Sequence, residues 1–267
     1  MKLKLVRHLW GVDMPISEAF PKIKTDGYEA IECPLRDDAE FKSLLAEHGF
    51  DYIPMAFTGG ASVAEHVQSF RTQFDQAVKL GAKKLVVHSG SDAFSLAEAK
   101  AFYTEIVAIE KTAAMEVAHE THRGRAFFNP WITRDLLHEF ASLQLCIDFS
   151  HWVCVAERLN WDDASGSIVK LCAQRAIHVH CRVGYEGGPQ VPDPSAPEYA
   201  GQVEQHLKWW DEIFTAQKTR GVQVATATPE FGPPGYLHTL PHTNVPVADL
   251  WKVCNWMAAK VKARFVS

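Results

Sequence analysis

The sequence predicts a closed barrel of eight parallel strands wrapped by helices, the (β/α)8 or TIM barrel, as a single domain over residues 1–267. Short β-like runs alternate with helical stretches along the whole chain, the pattern of parallel strands joined by crossover helices. Eight such units can be counted, and eight is the number that closes a barrel. The length, 267 residues, is long for an average domain and ordinary for one barrel of this kind.

The strands are expected, in order, at Lys4–Arg7, Ala30–Cys33, Tyr52–Ala56, Lys84–His88, Glu116–Glu120, Gln144–Asp148, Ala176–His180 and Gln223–Thr226. Ahead of the second, third, fourth and eighth stands a glycine, in KTDGYEAIE, AEHGFDYIP, KLGAKKLVV and KTRGVQVAT. Glycine there can end the preceding helix in the left-handed conformation without a Cβ penalty. The stretch SVAEHVQSFRTQFDQAVKL between the third and fourth strands repeats Val63, Val67, Phe70, Phe74, Val78 and Leu80 at mostly helical spacing. It predicts an amphipathic helix covering the barrel wall. After the seventh strand, GYEGGPQVPDPSAPEYAG is rich in Gly and Pro and reads as a long functional loop, residues 184–201.

Composition narrows the function. With 47% apolar and 22% charged residues there is ample core material and no sign of disorder. A net charge of −5 and a pI near 6.2 argue against a nucleic-acid surface, which needs clustered Lys and Arg, and favour a small or metal-bound ligand. No apolar run is long enough to span a bilayer, and MKLKLVRHLWGVD lacks the apolar core of a signal peptide, so a cytoplasmic protein without membrane partners is expected. The six cysteines form no CxxC and lie mostly in apolar segments, as reduced thiols do.

Glu120, Asp148, His180 and Glu230 each lie near the end of a separate apolar run: MEVAHE, LQLCID, AIHVHC and VQVATATPE. In a closed α/β barrel the C-terminal strand ends surround one mouth, so four such side chains can converge on one cation. Two Glu, one Asp and one His make a hard, mostly oxygen donor set, suited to Mn²⁺ or Mg²⁺ and able to hold Co²⁺ or Zn²⁺.

With these residues in view, the whole chain resembles the xylose isomerase-like TIM barrels, a superfamily of sugar phosphate isomerases and epimerases that also includes hydroxypyruvate isomerase, inosose dehydratase and endonuclease IV. GYEAIEC is similar to the family's second-strand pattern, IDFSHW to its Asp-x-x-His, IHVHCR to its His-x-His, and TPEF supplies the final glutamate. The resemblance implies that Glu120, Asp148, His180 and Glu230 hold the metal, that Glu120 and Glu230 face each other across the substrate as acid and base, and that the protein is a homodimer or tetramer. The family's sugar epimerases follow the His-x-His strand with Gly-Glu and a later Arg; this chain has VHCRVGYEGG, with Arg182 as the counterpart.

Chemistry points the same way. Removing a proton beside a carbonyl leaves an enediolate, and a divalent cation on the two neighbouring oxygens stabilises its charge. Two carboxylates on opposite faces then make an epimerase or an isomerase of a small sugar or hydroxy-carbonyl compound. Substrate contacts fall to His151 and Arg182, while the strand-end groups His88 and Glu32 either touch substrate as well or are satisfied structural residues of the mouth. No phosphate-binding loop pattern occurs, which favours a non-phosphorylated substrate.

Plainer readings exist for each residue. Glu120 could be a buried carboxylate paired with Arg123 or Arg125, and Asp148 could cap a helix beginning near Ser150. His178 and His180 share a face, with His178 one layer deeper; His119 and His122 flank Glu120 and are expected at exposed or supporting positions. Trp152 and Tyr236 are expected in loops, as part of the pocket wall. The rival functions are a dehydratase (a metal-dependent lyase acting on a keto-polyol) and a sugar-binding barrel without turnover. An endonuclease needs a basic face that the charge does not provide.

Overall fold

A computed structural model describes residues 1–266 of the chain. Eight parallel strands close a barrel in sequence order: β1 (Lys2–His8), β2 (Ala30–Pro34), β3 (Asp51–Phe57), β4 (Lys84–His88), β5 (Glu116–Glu120), β6 (Gln144–Ile147), β7 (Ala176–His180) and β8 (Val224–Thr228). Helices α1 (Ile16–Thr25), α2 (Ala39–His48), α3 (Val63–Lys79), α4 (Leu96–Glu110) and α5 (Pro130–Glu139) form the crossovers between the first six strands. Two helices, α6 (Ser150–Ala156) and α7 (Ser167–Arg175), link β6 to β7; α8 (Ala200–Thr219) leads to β8, and α9 (Leu250–Val266) closes the chain.

The fourth, fifth and seventh strands match their expected spans. The eighth runs to Thr228, two residues beyond expectation, because small Ala and Thr side chains continue the pleat past Thr226. The first strand extends to His8, so a histidine rather than Arg7 stands at its end.

Local chemistry sets the helix starts. Asp38, Ser62, Ser95 and Asn129 each accept a backbone N–H in the first turn of α2, α3, α4 and α5, and Ser95 with Glu98 completes a reciprocal capping box. Gly49 closes α2 at a φ of 61°, where a side chain would be strained. The buried stripe of α3 is His66, Phe70, Phe74 and Ala77; Val78, expected on that stripe, is 40% exposed because the helix turns it away from the wall.

Between strands and helices lies a continuous apolar layer that includes Phe70, Phe102, Leu145, Phe149, Trp152, Val179 and Trp210. Inside the barrel, Val6, Ala30, Ile53, Met55, Val86, Ala118 and Cys146 form a separate plug. Because side chains alternate along a strand, the residues two positions beyond this plug also face inward, at the C-terminal mouth. All six cysteines are unpaired, and all but Cys154 are buried.

Candidate metal centre

Alternation from the barrel plug delivers His8 after Val6, Glu32 after Ala30, His88 after Val86, Glu120 after Ala118, Asp148 after Cys146 and His180 after His178. Strand register sets His8 beside Glu32 and His180 beside Thr228, with Glu230 two residues beyond β8. One ligand atom from each of Glu120, Asp148, His180 and Glu230 lies within 4.8 Å of the other three, and all four residues are buried. His180 Nδ1 is 3.1 Å from Glu230 Oε2 and 3.4 Å from Glu120 Oε1.

The donor atoms fit a hard cation. Both carboxylate oxygens of Glu120, Oε2 of Glu230 and Nδ1 of His180 are buried without a hydrogen-bond partner, an arrangement that costs free energy unless something else satisfies them. Asp148 is differently placed. Its Oδ1 accepts from the backbone and hydroxyl of Ser150, so it does support the start of α6, while Oδ2 accepts from Arg182 Nη2 at 2.6 Å. A carboxylate has about four lone-pair positions, so these bonds leave acceptor capacity.

Glu32 stands on the other side of His180. It is fully buried, with Oε1 3.0 Å from His180 Nε2, and its Oε2 accepts from Thr228 Oγ1 at 2.5 Å. His178, one layer deeper as expected, lies between Thr226 and Thr228 at 2.7 and 3.0 Å. With Nε2–H donated to Glu32, Nδ1 of His180 faces the carboxylate cluster, where its lone pair becomes available to a cation once the Nδ1 proton is lost.

Burial works against each charge here, and the outcome depends on whether the neighbours outweigh it. Burial would raise the Glu120 carboxyl, but His88 and His180 outweigh it and hold it well below the usual range. Glu230 is likewise raised by burial and then pulled down by His180 and Arg182 to about 2. At Asp148 burial wins over Arg182, and its carboxyl rises to about 6. His122 is pushed down to about 3, chiefly by burial against the pull of Glu120, and is a neutral imidazole.

A cavity of about 730 Å³ opens over the cluster, lined among others by His8, Trp10, Phe57, His88, His122, Arg125, Arg182, Glu230 and Tyr236. Of the four residues considered for substrate, His88 and Arg182 reach it, whereas Glu32 and His151 are fully buried away from its wall. His151 instead accepts from Arg182 and packs under His122 with ring centroids 3.8 Å apart. Glu120 pairs with His88 and His180, not with Arg123 or Arg125. His119 is neither exposed nor near the cluster: it faces the helix layer and bonds Ser89 and Glu110, at 3.0 and 2.7 Å. Tyr236 does form pocket wall, but Trp152 sits inside α6 and donates to the Phe127 carbonyl.

His8 and Arg125 are among the mouth residues that the sequence pattern does not single out. His8, 3.6 Å from Glu230 Oε1, was hidden by ending the first strand at Arg7. Arg125 reads in sequence only as a partner for Glu120, because the loop after β5 carries no periodicity that would aim it at the cavity.

The model of the xylose isomerase-like TIM barrel family matches residues 20–185. Among solved structures, a sugar phosphate isomerase/epimerase from Parabacteroides distasonis is similar at 14% identity, covering 99% of this chain and 100% of that one, with a TM-score of 0.62. A probable 3-DHS dehydratase from Bacillus anthracis is similar at 14% identity over 97% and 98%, with a TM-score of 0.61. A xylose isomerase-like TIM barrel protein from Mycobacterium smegmatis, solved with magnesium, is similar at 9% identity over 98% and 96%, with a TM-score of 0.57. No curated protein matches the chain. At such identities the structural likenesses establish the fold alone.

Proposed function

The chain belongs to the xylose isomerase-like TIM barrel family, and on that premise we propose that it is a divalent-metal-dependent isomerase or epimerase of a small sugar or hydroxy-carbonyl compound. The observation that carries the reading is the convergence of Glu120, Asp148, His180 and Glu230 within 4.8 Å, with donor atoms of three of them buried and unpartnered. These four would hold the ion, Mn²⁺ foremost, with Mg²⁺, Co²⁺ or Zn²⁺ also compatible with the donor set. When bound there, such a cation supplies stabilisation of the negative charge that develops beside a carbonyl during proton abstraction.

The side chains divide the remaining work. Glu120 and Glu230, both depressed carboxylates, serve as the proton-transfer pair, one removing the proton and the other returning it. Arg182, held by Asp148 and Ser150, presents its guanidinium edge to the cavity and orients a hydroxyl of the substrate. Trp10 and Tyr236, in edge-to-face contact with centroids 5.0 Å apart, wall one side of the cavity and exclude water.

Glu120→Gln and Glu230→Gln keep the shape of the site and remove its bases. Each is expected to retain the fold and abolish exchange of the substrate α-proton with solvent deuterium, read by NMR; exchange persisting in both variants overturns the proton-transfer assignment. A dehydratase is the second reading, in which the same proton abstraction is followed by loss of a β-hydroxyl; it is favoured by His122, whose neutral imidazole lines the same cavity as Glu230 and adds a further base there. Appearance of a conjugated enone absorbance during turnover distinguishes it.

A further inference from the structure

Three arginines line the mouth: Arg36, Arg125 and Arg182. Arg182 is paired with Asp148 at 2.6 Å, and Arg36 is paired with Asp38. Arg125 has no carboxylate partner among the described residues; the one hydrogen bond of its guanidinium runs from Nη1 to the Thr58 carbonyl at 2.8 Å. A guanidinium carries five N–H donors, so most of them remain for a ligand.

Its anchor is rigid. Thr58 is 2% exposed, its hydroxyl lies 2.9 Å from His66 Nδ1 and accepts from the Gly90 backbone at 2.8 Å, and its backbone N–H donates to the His88 carbonyl at 3.1 Å. The network that holds Arg125 therefore also ends at the strand carrying His88. Burial disfavours the Arg125 charge, and only the more distant Glu120 and Asp92 favour it.

Local pairing gives this arginine a meaning. Asp148 is matched by Arg182, Glu32 is bonded to His180 and Thr228, and a divalent cation in the cluster would balance Glu120 and Glu230. Arg125 stands on the cavity wall without a carboxylate partner among the described residues, in a lining that also includes Leu35, Met55 and Phe57. A neutral polyol leaves such a charge unmatched, while an anionic ligand group forms charge-assisted, bidentate bonds to it.

We propose that Arg125 recognises a carboxylate at the end of the substrate away from the reacting carbonyl, so that the substrate is a small sugar acid or keto acid rather than a neutral sugar. This rests on the isomerase or epimerase reading of the same cavity. A carboxylate is preferred over a phosphate because one guanidinium matches a planar monoanion, whereas phosphoryl groups in such barrels are held by a helix N-terminus and the loops after the last two strands, and Arg125 stands on the loop after β5.

The test uses three ligands that share one hydroxy-ketone end and differ at the other: fructose, fructuronate and fructose 6-phosphate. Their binding to the Mn²⁺-loaded protein is measured by calorimetry for wild type, Arg125→Gln and Arg125→Lys, with metal content read on the same samples. Fructuronate is expected to bind tenfold or more tightly than fructose to wild type, roughly the value of a hydrogen bond to a charged group. Arg125→Gln is expected to lose that preference, and Arg125→Lys to recover part of it. Fructuronate binding no tighter than fructose, or an unchanged preference in Arg125→Gln, overturns the proposal, and tighter binding of fructose 6-phosphate overturns the choice of carboxylate. Metal content separates the two levels: full metal without acid preference sinks the substrate class alone, whereas acid preference without specific metal sinks the enzyme reading and leaves Arg125 as an acid-binding residue.

Discussion

Glu32 shows how far one side chain's role depends on depth in the barrel. From its place in AIEC it was expected to touch substrate, but it is fully buried beneath His180, on the side of the ring away from the carboxylate cluster. Burial would raise its carboxyl, and His180 and His178 outweigh that to hold it well below the ordinary range, so it is a charged acceptor for the His180 Nε2–H. A carboxylate in that position fixes the imidazole tautomer and strengthens Nδ1 as a donor, and loss of such a partner typically weakens metal affinity 10- to 100-fold. Glu32→Gln is therefore expected to weaken Mn²⁺ binding by about that factor with little loss of fold, measured by competition with a chelating dye. Affinity equal to wild type would remove the orienting role. The residues of the cluster were readable in the sequence because each breaks an apolar run with a charged or imidazole group where the run ends. Glu32 met the same criterion; what a linear reading lacks is whether a strand-end group lies level with the cluster or below it, which register alone decides.

At the scale of elements, the loop after β7 and the first turn of α6 are pressed together around Gly184. A Cβ built there would stand 2.5 Å from the Ser150 carbonyl oxygen and 2.8 Å from its Cα, which are backbone atoms that cannot swing aside. Ser150 in turn accepts from Arg182 Nε at 3.1 Å and donates to Asp148, so the contact ties the β7 loop to the metal cluster. Gly184→Ala is expected to separate the two elements, at a cost of about 1–3 kcal/mol typical of overpacking. It should lower the thermal midpoint by several degrees and weaken metal binding along with it. An unchanged midpoint would show that the loop accommodates the methyl group and that the contact is not restrictive. The Gly and Pro content marked this segment as a functional loop, but the reason for one particular glycine is a neighbour 34 residues earlier in the chain. Strand positions were legible because apolar runs and glycine stops are local signals. The split of the β6–β7 connection into α6 and α7 was not, since Asp162 and Asp163, which bond the first turns of α7, resemble ordinary loop residues in sequence.

For the whole molecule, the closed barrel concentrates opposing charges at one end, and its stability should depend on pH and metal together. In the metal-free protein Asp148 titrates at about 6, above its ordinary value of 3.8, because burial outweighs Arg182. A folded value above the unfolded one means that protonation favours the fold. That contribution is complete below the unfolded value and is lost as pH rises through about 6. His180, lowered by burial but raised further by Cys146 and the surrounding carboxylates, also carries a proton in the metal-free state well above the usual imidazole range. A cation must displace both protons, so its apparent affinity rises with pH. One pH unit below a controlling value, roughly tenfold affinity is lost, equivalent to about 1.4 kcal/mol of the stabilisation that saturating ligand provides. Adding Mn²⁺ is therefore expected to raise the thermal midpoint of wild type more at pH 7.5 than at pH 5, while Asp148→Asn gains little at either pH. A gain that is equal at the two pH values, or one retained in Asp148→Asn, would show that the ion binds elsewhere and that the buried charges at the mouth balance one another without it.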